Sequence, residues 1–154
     1  MQPTPLPLDP TQLTGLEQLA MIRDGAVAPP GIATLLGMTL DDIDDGRAVF
    51  SLTTRPDMTN PMGGVHGGIA ATILDSVMGC AIHTTMAPGE SYTTADLTVH
   101  YTRGIRVDTG VITATGAVLH RGRTTATAEG RVHDAEGRLL AHGTTTCVIR
   151  AAAP

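Results

Sequence analysis

The chain has 154 residues, enough for one domain with a sizeable core, and 42% of them are hydrophobic, an ordinary share for a globular fold. One Phe, two Tyr and no Trp make that core aliphatic, and a formal net charge of −5 argues against nucleic acid as a partner. No stretch approaches about 18 uninterrupted apolar residues, and residues 1–9 lack a basic segment followed by an apolar run, so no membrane span or leader is expected and the cytoplasm is the expected location.

Residues 1–10 carry four prolines and read as a loose tail. Over residues 11–23, Leu13, Leu16, Leu19, Ala20 and Ile22 recur at helical spacing, with Thr11 as the candidate cap and Asp24-Gly25 as the stop. Residues 26–31, with Pro29-Pro30, read as a linker. The division that follows is a tail with a short helix over 1–30 and one main domain over 31–150. The apolar run 32–41 reads as a strand, and 42–46 as an acidic turn. Ala48, Phe50 and Leu52 then alternate with polar neighbours in a half-buried strand, so the pair reads as a hairpin. After a long central helix and a break at Pro88-Gly89, four further strands are expected. They are a strand through Leu97, Val99 and Tyr101, then 110–119, then 126–133, and 139–149. Successive hairpins with one long helix imply an α+β layer arrangement, an antiparallel sheet packed on the helix. Cys80 and Cys147 both lie in apolar runs and are expected as buried free thiols.

The chemistry concentrates in residues 60–82. Pro61 and Gly63-Gly64 make a loop, and His66-Gly67-Gly68 suits the first turn of a helix. Glycines there leave free N–H groups open to a ligand oxygen, at the positive end of the helix dipole. Such a site can polarise a carbonyl or hold an oxyanion. Ile69, Ile73, Val77 and Cys80 form one apolar stripe, and Ala71, Leu74, Met78 and Ile82 a second. Asp75 falls inside the second, where a carboxylate is costly unless paired, hydrogen-bonded or functional. It also lies nine residues after His66. At 100° per residue that is two and a half turns, so the two point to opposite sides about 13 Å apart along the axis. If both serve one site, two copies of the helix must contribute, which implies a homodimer. Arg103, Arg106, Arg121 and Arg123 fall close together and form a candidate polyanion site, with solvated turn residues as the alternative. No His or Cys pair has metal-ligand spacing, so no metal or other cofactor is expected.

The element order and the stretch Asn60-x-x-Gly-x-x-His-Gly-Gly-x-x-x-x-x-x-Asp75 resemble the hotdog-fold acyl-CoA thioesterases. The closest branch is the phenylacetate-pathway type, related to 4-hydroxybenzoyl-CoA thioesterases, and the resemblance runs over residues 31–150. It implies an antiparallel sheet wrapped around a long helix and hydrolysis of an acyl-CoA substrate. It also implies a homodimer assembled into a homotetramer. By the resemblance, Asp75 is the carboxylate that activates water or attacks the thioester. Gly67 is the donor to the thioester carbonyl, with Gly68 beside it. Asn60 and His66 orient substrate or nucleophile, and Thr94 positions water. One departure is Gly104, where many relatives carry a proline.

Two other readings compete. A hotdog dehydratase or hydratase would use a His–acid pair in a different motif context. A non-catalytic acyl-CoA sensor would carry a DNA-binding module, for which the first 30 residues hold only one short helix. For His66 the competing role is a helix cap that bonds its own loop, and for Asp75 a carboxylate that caps a neighbouring loop.

Overall fold

In the computed structural model, which describes residues 9–151, one antiparallel sheet packs on one long helix. Two short helices, α1 (Gly15–Arg23) and α2 (Gly31–Leu36), precede the hairpin of β1 (Met38–Asp44) and β2 (Arg47–Thr53). The long helix α3 (Gly67–His83) follows, then β3 (Ser91–Tyr101), β4 (Val111–Arg121), β5 (Thr125–Asp134) and β6 (Leu139–Arg150). The strand order is β1-β2-β4-β5-β6-β3, with antiparallel neighbours throughout. This is the α+β hotdog arrangement. Residues 1–8 of the proline-bearing tail 1–10 lie outside the described residues, as do 152–154.

The alternation in the sequence puts Ala48, Phe50 and Leu52 of β2, Ile112 and Ala114 of β4, and Ala126, Ala128 and Val132 of β5 into the core. On α3 the buried set is Ala70, Ile73, Leu74, Val77, Met78, Ala81 and Ile82, which is the i, i+3, i+4, i+7 pattern of a single face. The helix lies close to the sheet where two glycines of neighbouring strands face it. Gly116 of β4 pairs with Gly130 of β5, which pairs with Gly143 of β6. A Cβ on Gly116 would lie 2.5 Å from the Val77 carbonyl oxygen, and one on Gly130 would lie 2.9 Å from Leu74 Cδ2.

Three expectations change. The apolar run 32–41 is not one strand. Residues 31–36 form α2, which buries only Ala33 and ends at Gly37 in the left-handed conformation (φ 70°), and β1 starts at Met38. Short apolar runs fit helix and strand equally, and the two prolines before Gly31 favour a fresh helix start here. The first helix begins later than Thr11. Thr14 is its cap, and Thr14 and Glu17 bond reciprocally in a capping box. Asp75 is not on the buried face of α3. It is half-buried, beside the likewise half-buried Thr72, Ser76 and Cys80. Leu74 takes the inward position, and one residue further on turns the side chain 100° toward the flank.

Both cysteines are free, Cys147 buried and Cys80 half-buried. Burial, with the Asp75 charge nearby, pushes the Cys80 thiol up to about 12, so it is not a poised nucleophile.

Candidate active site

The loop before α3 is built from its own side chains. Asn60 Oδ1 accepts from the Met62 N–H (2.9 Å) and the Gly64 N–H (3.2 Å), and the Asn60 N–H donates to the Gly64 carbonyl (2.8 Å). Asn60 therefore shapes the loop. His66 caps the helix, its Nδ1 accepting from the Gly68 N–H at 2.9 Å. An accepting Nδ1 is unprotonated, so the ring's proton sits on Nε2, the nitrogen free to meet a ligand. The capping role set against chemistry for His66 is thus present, and it fixes the ring's tautomer. The next N–H, on Gly67, has no partner among the described residues. The Tyr101 ring lies over this glycine: the phenol donates to the Gly67 carbonyl at 2.9 Å, and a Cβ on Gly67 would lie 3.2 Å from the ring. Gly67 and Tyr101 line one open cavity together with Arg103 and Ile105.

Asp75 sits two turns further along α3. Thr94 Oγ1 donates to Asp75 Oδ1 at 3.0 Å, and the Cys147 thiol stands behind Thr94 at 4.0 Å. The approach of Thr94 depends on a bulge in β3. The register of β3 against β6 shifts between Thr94 and Asp96, so Tyr92 and Thr94 before the shift, and Leu97 and Val99 after it, all turn inward. The Asp75 carboxylate faces a cavity of about 210 Å³ that Ser76, Cys80, Tyr92 and Thr94 also line. The Tyr92 phenol is held neutral far above neutrality by burial. Neither Tyr92 nor Tyr101 stood out in the sequence. Their signal is that the chain has only two tyrosines, both on the strand that carries Thr94.

The structure brings Asp75 to Thr94, and keeps both away from the start of the helix. His66 and Gly68 border a third cavity with Ile69 and Thr72. The four arginines have different surroundings. Arg103 lies near Gly67, whereas Arg106 pairs with Asp108 (2.8 Å) beside the Met62–Gly64 loop. Arg121 is largely buried and committed to the fold. It pairs with Glu90 at 2.6 Å, donates to the Gly122 carbonyl and reaches the Met86 sulfur. Arg123 is exposed in the β4–β5 turn. Among the described residues no group of three or more His, Cys, Asp or Glu side chains could hold a metal ion, and no helix is long and apolar enough to cross a membrane.

The thioesterase superfamily pattern matches residues 62–141, the span from the loop before α3 into β6. The chain belongs to the thioesterase superfamily and is a thioester hydrolase. A protein of Halobacterium salinarum whose name describes it as an esterase is 33% identical over 124 residues, covering 76% of this chain and 80% of that one. The human acyl-coenzyme A thioesterase 13 is 30% identical over 109 residues, 69% of this chain and 75% of its own. Among solved structures, a phenylacetic acid degradation-related protein of Ralstonia eutropha superposes with a TM-score of 0.76 at 25% identity, over 84% of this chain and 97% of that one.

Proposed function

We propose that this thioesterase hydrolyses an acyl-CoA to the free acid and CoA in the cytoplasm, with Asp75 as its base or nucleophile. The observation that carries the reading is the Asp75 carboxylate on a cavity wall with only one oxygen engaged, Oδ1 by Thr94. The other oxygen is free to take a proton from water or to attack. Water then adds to the thioester carbonyl carbon as its proton passes to Asp75. The carbonyl oxygen becomes an oxyanion and accepts from the free Gly67 N–H at the helix start. Collapse of this intermediate expels the CoA thiolate, which takes back the proton. A preorganised N–H at a helix terminus stabilises charge that develops only in the transition state. Gly68 leaves room for the thioester, and His66 Nε2 and Asn60 order the approach. Arg103, Arg106 and Arg123 are within the same reading contacts for the CoA phosphates, and Arg121 supports that surface through its Glu90 pair. Two free cysteines suit a reducing compartment.

Gly67 and Asp75 of one chain line different cavities. The site therefore takes Asn60, His66 and Gly67 from one chain and Asp75 with Thr94 from another, in a two-fold homodimer that is the unit of a homotetramer. The test is complementation. Homodimers of Asn60→Ala and of Asp75→Asn carry a defect in both sites. The mixed dimer, purified with two tags, concentrates both defects in one site and leaves the other intact. It should regain about half of wild-type thiol release when its sites act independently. A mixed dimer no more active than its parents refutes the shared site. Absence of thiol release from a panel of aliphatic and aromatic acyl-CoAs refutes the activity.

A further inference from the structure

Behind the cavity that holds Asp75 lies a second, smaller and more enclosed one. Its volume is about 60 Å³, and its far wall is Leu19 and Ile22 of α1, Pro29, and Leu40 of β1. Pro30, Ala33, Met38, Phe50 and Cys80 line both cavities, so the inner cleft adjoins the space in front of Asp75. Apart from the Cys80 thiol and the Met38 thioether its side-chain walls are hydrocarbon, which admits no polar or charged group without loss of hydration. The wall is fixed. The Gly15 N–H donates to the Met86 carbonyl at 3.0 Å, and a Cβ on Gly15 would lie 1.7 Å from the His83 carbonyl oxygen, so the first turn of α1 rests on the end of α3. Leu19 and Ile22 follow from that anchor toward the cleft. Of the residues that line the cleft, only Cys80 falls within 62–141, the span of the family pattern.

Size selects among apolar groups. A water-sized group needs about 10–15 Å³ measured this way, so the cleft has room for about four to six carbons in line. An apolar cavity that holds benzene measures about 150 Å³. The inner cleft is less than half of that, too small for a ring and suited to a chain.

We propose that the substrate is a linear, medium-chain aliphatic acyl thioester whose tail enters the cleft between α1, α2 and the β1–β2 hairpin, with Ile22 setting the length accepted. This rests on the thioesterase reading and on the location of Asp75. The test compares octanoyl-CoA, propanoyl-CoA and decanoyl-CoA with two variants that change the cleft in opposite directions. Ile22→Trp fills its end, and should lower the octanoyl-to-propanoyl ratio of kcat/KM by about tenfold or more, since each methylene in such a pocket is worth about 10–200-fold. Ile22→Ala lengthens it, and should raise the decanoyl-to-octanoyl ratio. Misfolding cannot produce both shifts. Ratios within about twofold of wild type in both variants overturn the proposal. Calorimetric titration with octanoate separates this result from failure of the catalytic reading. If wild type hydrolyses no acyl-CoA but binds octanoate, and Ile22→Trp weakens that binding about tenfold, the cleft stands and the hydrolase reading falls. Equal octanoate binding by wild type and Ile22→Trp, or none by either, overturns the cleft.

Discussion

The two sides of α3 differ in what they are made of and in what they do. The inward side, with Ile73, Leu74, Val77 and Met78 fully buried, rests in the trough left by Gly116 and Gly130. The flank, with Thr72, Asp75, Ser76 and Cys80, is half-covered and carries the polar groups. Side chains on the first side are fully buried in the apolar core, and their contribution is burial at roughly 25 cal/mol per Å². Those on the flank stand at cavity walls, where a carboxylate can meet a ligand. The lesson is a division of labour within one helix, in which stability and chemistry can be damaged separately.

The sharpest test of that division is Asp75→Asn. It keeps the shape and the partner atom for Thr94 but removes the base, and kcat should fall about 10²–10⁴-fold in a thiol-release assay while the melting temperature barely moves. A melting temperature lowered along with the activity would erase the difference between the two sides. The reverse experiment is Gly116→Ala. Its methyl group would press on the Val77 carbonyl, so overpacking should cost about 1–3 kcal/mol in urea unfolding. The fraction that remains folded should still turn over substrate, because no polar group on the flank is touched.

Smaller effects refine the picture. Thr94→Val removes the hydroxyl that holds Asp75 Oδ1, and kcat should drop about tenfold, with Thr94→Ser restoring most of it. Equal loss in both variants would assign Thr94 to packing alone. The smallest effect concerns His83, the last residue of α3, whose Nε2 lies 3.0 Å from Gln18 Oε1 and whose ring tilts against Tyr92. Burial lowers its pKa below the ordinary 6.5, so it stays neutral in the fold where the unfolded chain would already take up a proton. The unfolded state then binds more protons, and stability rises with pH across that window. The contribution is full above the unfolded value and is lost as pH falls toward the folded one. Urea midpoints measured at about pH 7.5 and about pH 5.5 should differ in that direction, and His83→Gln should flatten the difference.

Much of this was legible in the chain because it is local. The 3.6-residue periodicity of 69–82, the alternation in 48–52 and 126–132, and the glycines after His66 are properties of neighbouring residues, and they determine the helix, the strands and an open helix start whatever else the chain does. The nine-position step from His66 to Asp75 likewise fixes their separation on any regular helix. Only the tertiary structure decided which side of α3 faces the sheet, because two apolar stripes compete and the paired Gly116 and Gly130 select between them through register across two strands. It also decided that Thr94 meets Asp75, which takes a bulge in β3, that Tyr101 covers Gly67, and that Arg121 is tied to Glu90. Each of these joins residues about 20 or more positions apart, and such contacts depend on packing across the whole sheet rather than on the preferences of adjacent residues.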